Sequence, residues 1–267
     1  MNIHPCCLTI AGSDSGGNAG VQADLRAFHA YGLHGCTVFA ALTAQNPFGV
    51  SAIHPVPADF VAAQLDAVLG VYSIKALKTG MLADPASIEI IAERLSAHPE
   101  IAKVIDPVMI ATSGAKLVTD ETMEIIKAKL LPLASLITPN LPEAEALAGV
   151  SGKGRAADVA WAKELGLRLH DKFGCAVLVK GGHGVNSSAV DVLFDGKVSE
   201  EFSADWIENP VSTHGTGCSL AAALASEFAL GRGVFAAVKG AKDYVHKAIE
   251  GSYYVGPDCG VLGFVEK

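Results

Sequence analysis

The sequence predicts an α/β fold with a mostly parallel sheet covered by helices on both faces. Three observations lead there. Short, wholly apolar runs alternate with segments of helical period nearly throughout the chain. Glycine-rich or polar turns follow those runs, at 11–20, 45–46, 106–109, 139–143 and 181–184. The 267 residues are half hydrophobic and only 18 % charged, which suits a large buried core.

The elements follow in order. Residues 6–10 read as a buried strand that enters the glycine-rich loop 11–20 and a helix over 20–31. Residues 38–43 and 50–56 read as strands, and 58–69 as a helix with Phe60, Val61, Leu65, Val68 and Leu69 at helical spacing. Strand 74–79 ends at Gly80-Met81. A helix over 85–97 has Asp84 as its N-cap and Pro85 at its first position. Strand 103–106, helix 120–131, strand 135–138 and a helix over 143–148 come next. After a helix over 155–171 and strand 176–180, residues 190–194 and 198–202 form a hairpin about Asp195-Gly196. Helices over 219–229 and 234–250 close the core, and the tail from 251 shows no clear period. No composition break divides the chain, so a single domain over 1–267 is expected.

Composition removes several function classes. The net charge is −8 without a dense Lys/Arg cluster, which argues against nucleic-acid and anionic-membrane partners. No apolar run approaches the roughly 18 residues of a membrane span. The six cysteines form no CxxC pair and the nine histidines no HExxH. The first basic residue is Arg26, so the apolar start lacks the flank of a signal peptide. A soluble, reduced, cytoplasmic protein is expected.

One stretch concentrates the chemistry. Residues 209–218 are turn-rich, contain Gly215 and Gly217, and run into an alanine-rich helix. Backbone N–H groups at such a helix start lack intrahelical partners and favour an anion. Cys218 stands at this positive end, where a thiol ionises more easily. Loop 11–20 matches neither GxGxxG nor GxxxxGK[ST], and by itself reads equally as a structural turn. Yet Gly12, Asp14, Gln45, Asn46, Met81, Asp106, Asn140, Glu143 and Lys180 all follow strands. In an open parallel sheet those strand ends line one ligand crevice.

Seven blocks carry a resemblance: Gly12-Ser13-Asp14-Ser15-Gly16-Gly17-Asn18-Ala19-Gly20-Val21-Gln22-Ala23-Asp24, Thr43-Ala44-Gln45-Asn46, Lys78-Thr79-Gly80-Met81, Asp106-Pro107-Val108-Met109, Thr138-Pro139-Asn140-Leu141-Pro142-Glu143-Ala144, Lys180-Gly181-Gly182-His183 and Thr213-His214-Gly215-Thr216-Gly217-Cys218. In this order they resemble the hydroxymethylpyrimidine/phosphomethylpyrimidine kinases of thiamine biosynthesis, members of the ribokinase-like superfamily. The likeness runs from about 7 to 230.

That resemblance implies a three-layer α/β/α sandwich with a small β-hairpin, ATP and Mg²⁺ as cofactors, and a homodimer. It implies that Gly215, Thr216, Gly217 and Cys218 form the anion hole for the transferred phosphoryl group, with Cys218 as base. The alternative for Cys218 is a small residue that merely packs. Lys180 would meet nucleotide phosphates as a point charge, with Asp106, Asn140 and Thr216 also on the nucleotide side. Asn140 and Glu143 would hold Mg²⁺ directly or through water. For Glu143, a first-turn charge on its helix dipole is the rival reading. Gly12, Asp24, Gln45, Met81 and Val108 match positions around the pyrimidine. Gln45 can donate to a ring nitrogen and accept from an amino group. Some members have Glu there. Met81 and Val108 would sandwich the ring, or be ordinary core.

A pyridoxal kinase of the same superfamily is the nearest rival reading. A cysteine hydrolase needs Gly two residues after its nucleophile, and Leu220 stands there. A non-catalytic pyrimidine-binding regulator would have no use for the phosphate loop, Lys180 and the Asn140/Glu143 pair.

Overall fold

The computed structural model describes residues 3–109, 118–151, 158–181 and 188–263. Its strands are β1 (Cys6–Asp14), β2 (His34–Asn46), β3 (Gly49–Pro55), β4 (Ile74–Thr79), β5 (Ala102–Ile105), β6 (Leu136–Ile137), β7 (Ala176–Val179), β8 (Ser188–Phe194) and β9 (Ser199–Asp205). They form one nine-stranded sheet in the order β3-β2-β1-β4-β5-β6-β7-β8-β9. Neighbours from β2 through β7 pair in parallel, whereas β3, β8 and β9 add antiparallel edges. The chain leaves β1 on one side to make β2 and β3, then returns to its other side with β4. Such a reversal of strand order opens a crevice at the carboxyl ends of the strands.

Alternating side chains build two cores. Leu8, Ile10, Leu77, Ile105, Ile137 and Val177 face one way, packing with α2 (Ala58–Leu69), α3 (Pro85–Ser96), α5 (Leu141–Ala148) and α6 (Val159–Phe173). Their neighbours Cys7, Ala76, Val104, Leu136 and Leu178 face α1 (Gly20–Ala30), α7 (Thr216–Ala229) and α8 (Val234–Glu250). The period of two, apolar on both faces, is what a doubly covered strand requires. Ser219 through Glu227 of α7 are all buried. Full burial of Leu220 or Leu224 contributes about 1.5–3 kcal/mol each, which holds the start of α7 against β1, β4 and β5.

Several boundaries differ from expectation. β1 continues to Asp14, because Gly12, Ser13 and Asp14 pair with β2 beyond a register shift at Ala11/Gly12. The helix at 120–131 is α-helical only over α4 (Asp120–Ile125), then widens over Ile126–Leu130 and tightens over Leu131–Leu133. Pro132 cannot donate to the helical ladder, and its ring crowds the carbonyl four residues back. α5 starts at Leu141 with Asn140 as its cap, earlier than expected. α6 starts at Val159 behind the cap Asp158 and runs on to Phe173; residues 155–157 of the expected helix lie outside the described residues. α7 takes in Thr216, Gly217 and Cys218 as its first turn. The tail folds into a hairpin of β10 (Tyr253–Gly256) and β11 (Cys259–Val261), strands too short to show a period.

Candidate active site

Two loops meet at the crevice. Asp14, at the end of β1, accepts N–H bonds from Gly16 (2.8 Å), Asn18 (2.9 Å) and Ala19 (2.8 Å), which folds loop 15–19 around its carboxylate. Burial pushes the Asp14 carboxyl up, but the His214 ring and these N–H groups outweigh it and hold it below the usual range. His214 Nε2 is buried without a hydrogen-bond partner among the described residues, 3.9 Å from Asp14 Oδ2. That separation is an electrostatic contact beyond hydrogen-bond reach. Next to it, Gly215 caps α7 at φ 90°, a conformation that favours glycine.

The start of α7 stands at the same crevice. The N–H groups of Gly217 and Cys218, in the first turn of α7, find no acceptor among the described residues. The Thr216 hydroxyl donates to Thr213 O at 3.0 Å. Lys180, just past β7, donates to Asp106 Oδ1 at 3.0 Å, and Thr138 donates to the same oxygen at 2.9 Å. A Cβ on Gly217 would lie 3.7 Å from Lys180 Nζ and 3.9 Å from Asp106 Oδ2. The helix start, the ammonium and Asp106 Oδ2 therefore border one small volume. Burial works against the Lys180 ammonium, but Asp106, Glu143 and Cys218 raise its pKa on balance, so it stays charged. Gly182, His183 and Ser187 lie outside the described residues.

Cys218, in the first turn of α7, meets opposing influences. Burial pushes its thiol up, and Asp24 and Asp106 add to that; Lys78 and the Gly20 N–H act in the opposite direction without winning. The helix start alone would favour a thiolate, but desolvation is the larger effect. At neutral pH that direction favours the thiol over the thiolate.

Asn140 and Glu143 form a reciprocal cap on α5. Glu143 N–H donates to Asn140 Oδ1 at 2.9 Å and Asn140 N–H donates to Glu143 Oε2 at 2.8 Å. Met109 N–H reaches Glu143 Oε1 at 3.4 Å. Burial pushes the Glu143 carboxyl up despite Lys180. Among the described residues no three His, Cys, Asp or Glu side chains gather as a metal cage. The donor set still suits Mg²⁺, which keeps waters and takes one or two carboxylates plus substrate phosphates.

On the other side of the crevice Gly12 and Met81 touch: a Cβ on Gly12 would lie 2.6 Å from Met81 Cε. Met81, Val108 and Gln45 are all half-buried at strand ends. Gln45 Oε1 accepts from the Thr43 hydroxyl at 3.1 Å, and the Gln45 backbone exchanges two 2.8 Å bonds with the Ser15 hydroxyl. Asp24 differs from Gly12, Gln45, Met81 and Val108. It has no exposed surface, and its carboxylate is held by Lys78 and Thr9. It lies beneath the crevice and has no free face for a ring. A cavity of about 750 Å³ opens elsewhere, between α1 and α8, lined by Arg26, His29, Tyr31 and Tyr244.

With this geometry in view, a family profile described as phosphomethylpyrimidine kinase matches residues 14–262. The chain belongs to that family. The hydroxymethylpyrimidine/phosphomethylpyrimidine kinase of Synechococcus elongatus is 43 % identical over 260 residues, covering 97 % of both chains. The chain spans about half the length of some relatives: 48 % of the thiamine biosynthesis bifunctional protein ThiED of Geobacter sulfurreducens, at 45 % identity over 91 % of this chain. Among solved structures, a Bacillus subtilis pyridoxal kinase in complex with ADP superposes with a TM-score of 0.90, at 33 % identity over 98 % of both chains. A phosphomethylpyrimidine kinase of Clostridium difficile has a TM-score of 0.80, at 37 % identity over 93 % of this chain and all of that one. The fold of this family member is the ribokinase-like sandwich.

In this phosphomethylpyrimidine kinase family member, three contributors carried no assigned part in the sequence reading: Asp14, Thr138 and His214. An Asp two residues before Gly-Gly is a recognisable loop-folding signal. Thr138 and His214 depend on partners 32 and 200 residues away, Asp106 and Asp14 (138 − 106 and 214 − 14), which spacing cannot show.

Proposed function

We propose that this chain is an ATP-dependent kinase that phosphorylates hydroxymethylpyrimidine to its monophosphate and then to the diphosphate, in thiamine biosynthesis. The observation that carries the reading is the start of α7, where the Gly217 and Cys218 amides find no acceptor among the described residues and Gly217 lies beside Lys180 and Asp106. Relatives bearing that kinase name over their full length support the substrate.

Phosphoryl transfer needs positioning and charge stabilisation more than covalent help. In our reading Gly215, Thr216, Gly217 and Cys218 hold the transferred group through backbone N–H donors, and Lys180 neutralises a nucleotide phosphate. Asp106, Asn140 and Thr216 line the nucleotide side. Asn140 and Glu143 would hold Mg²⁺ through water. Bound there, Mg²⁺ supplies charge neutralisation on the phosphates. Gly12, Gln45, Met81 and Val108 receive the ring, and Asp24 supports them from below. Cys218, once its thiol has released a proton to solvent, accepts the proton of the substrate hydroxyl. The hydroxyl oxygen then bonds to the γ-phosphorus as the bond to ADP breaks.

We also infer a single kinase domain over 1–267 acting as a cytoplasmic homodimer. Six free cysteines support a reducing compartment. No helix among the described residues is long and apolar enough to cross a membrane.

A pyridoxal kinase is the second reading, favoured by the 0.90 TM-score to an enzyme of that name. ADP release measured side by side on hydroxymethylpyrimidine and pyridoxal tests the choice. Efficient turnover of pyridoxal with none of hydroxymethylpyrimidine would reverse it.

A further inference from the structure

Beneath the crevice lies a buried ion pair whose ammonium has no part in the chemistry proposed so far. Lys78 Nζ donates to both carboxylate oxygens of Asp24 at 2.9 Å, and the Thr9 hydroxyl donates to Asp24 Oδ2 at 2.6 Å. Both charged side chains are 0 % exposed. Such a pair is poor evidence for stability, since apolar residues of similar volume often do as well. Its position in the fold gives another reason for it.

Lys78 stands two residues after Ala76, and Thr9 two after Cys7. Ala76 and Cys7 belong to the core under α1 and α7, so Lys78 and Thr9 rise on the same side. Asp24 comes from α1. The triad thus lies on the face of the sheet that α1 and α7 cover. Gly80 closes it from above: a Cβ there would lie 2.9 Å from Lys78 Nζ.

We infer that Lys78 is a positioning residue of the transfer reaction, its buried ammonium providing the fixed positive charge against which the Cys218 thiolate forms. This rests on Cys218 being the proton acceptor. The Lys78 ammonium favours the ionised form of Cys218 and disfavours its neutral thiol. Burial works against the Lys78 ammonium, yet Asp24, Cys218 and Asp106 raise its pKa on balance, so it stays charged. The groups facing Cys218 are Lys78 of β4, Asp24 of α1, Asp106 after β5, Lys180 after β7 and the Gly20 N–H. Lys180 is engaged by Asp106 and partly exposed, whereas Lys78 has no exposed surface. Asp24 fixes the ammonium in place and tempers its pull on the thiol. No proton leaves Lys78 in the reaction.

The test reads Cys218 directly and needs no turnover. Alkylation of Cys218 by iodoacetamide is followed at peptide level across pH, on the full chain without nucleotide. Asp24→Asn leaves the ammonium without its carboxylate, and the alkylation midpoint should fall by about one pH unit, roughly a tenfold change in thiolate population at fixed pH. The double variant Lys78→Met/Asp24→Asn removes both charges, and the midpoint should rise above that of the unsubstituted protein. Midpoints that stay put, or that move the same way in both variants, overturn the proposal. If Asp24→Asn does not fold, the double variant decides alone: a rise supports the proposal, and no rise ends it. A Cys218→Ala enzyme with undiminished activity would remove the proton-acceptor reading while leaving the alkylation result intact.

Discussion

Gly215 lies so close to Asn18 that a Cβ on the glycine would sit 1.9 Å from the Asn18 carbonyl oxygen. This contact joins the loop folded by Asp14 to the cap of α7. The two loops share one surface only because residue 215 has no side chain and holds φ 90°.

Gly215→Ala should therefore damage both stability and turnover. The left-handed backbone costs alanine about 1–2 kcal/mol, and the clash forces the loops apart. Misplaced donors at an anion hole cost roughly 10²–10³ in kcat. Thermal unfolding together with ADP release at saturating substrates checks both effects.

Lys180→Met should lower kcat by roughly 10²–10³, with a smaller effect on unfolding, because Thr138 still donates to Asp106. Lys180→Arg should rescue poorly, since a planar fork does not replace a compact ammonium. Kinetics at saturating ATP separate the loss from weaker nucleotide binding.

The raised thiol pKa of Cys218 gives a sign for the pH–rate profile. A base must be deprotonated, so kcat/KM should climb with pH into the alkaline range. Cys218→Asp should move that rising limb to acid pH, because an aspartate ionises well below a thiol. Cys218→Ala should lose the limb and most of the rate. A flat wild-type profile would count against Cys218 as base.

The capping box of α5 separates structural from metal roles. Asn140→Ala should cost about 1 kcal/mol of stability, read by denaturant unfolding without Mg²⁺. Glu143→Gln keeps a capping partner and should unfold much like the wild type, yet need more Mg²⁺ for half-maximal activity.

Asp14 should govern acid stability. Its pKa is lowered in the folded state. Its contribution is therefore present above the usual aspartate range and lost as pH falls through the lowered value. Asp14→Asn should flatten the acid limb of a stability–pH curve measured by thermal unfolding.

The strand ends were legible in the sequence because apolar runs closed by turns leave few alternatives. Gly12, Met81, Asp106, Asn140, Lys180 and Gly215 were all marked by that pattern. The role of Asp24 was not legible. Its motif is the same whether the carboxylate faces a ligand or Lys78, 54 residues later, and only packing of α1 on β4 decides. Cys218 shows the same limit: its place at a helix start could be read directly, but the desolvation that pushes its thiol pKa up could not.

By itself the sequence determined the alternation of strands and helices, the glycine positions and the order of the site blocks, because these are local properties of backbone and period. Tertiary structure alone decided which charges meet. Lys180 on Asp106, Lys78 on Asp24 and His214 beside Asp14 join residues far apart in the chain. Their strength depends on how much water the surrounding core excludes, and no single stretch of sequence contains that.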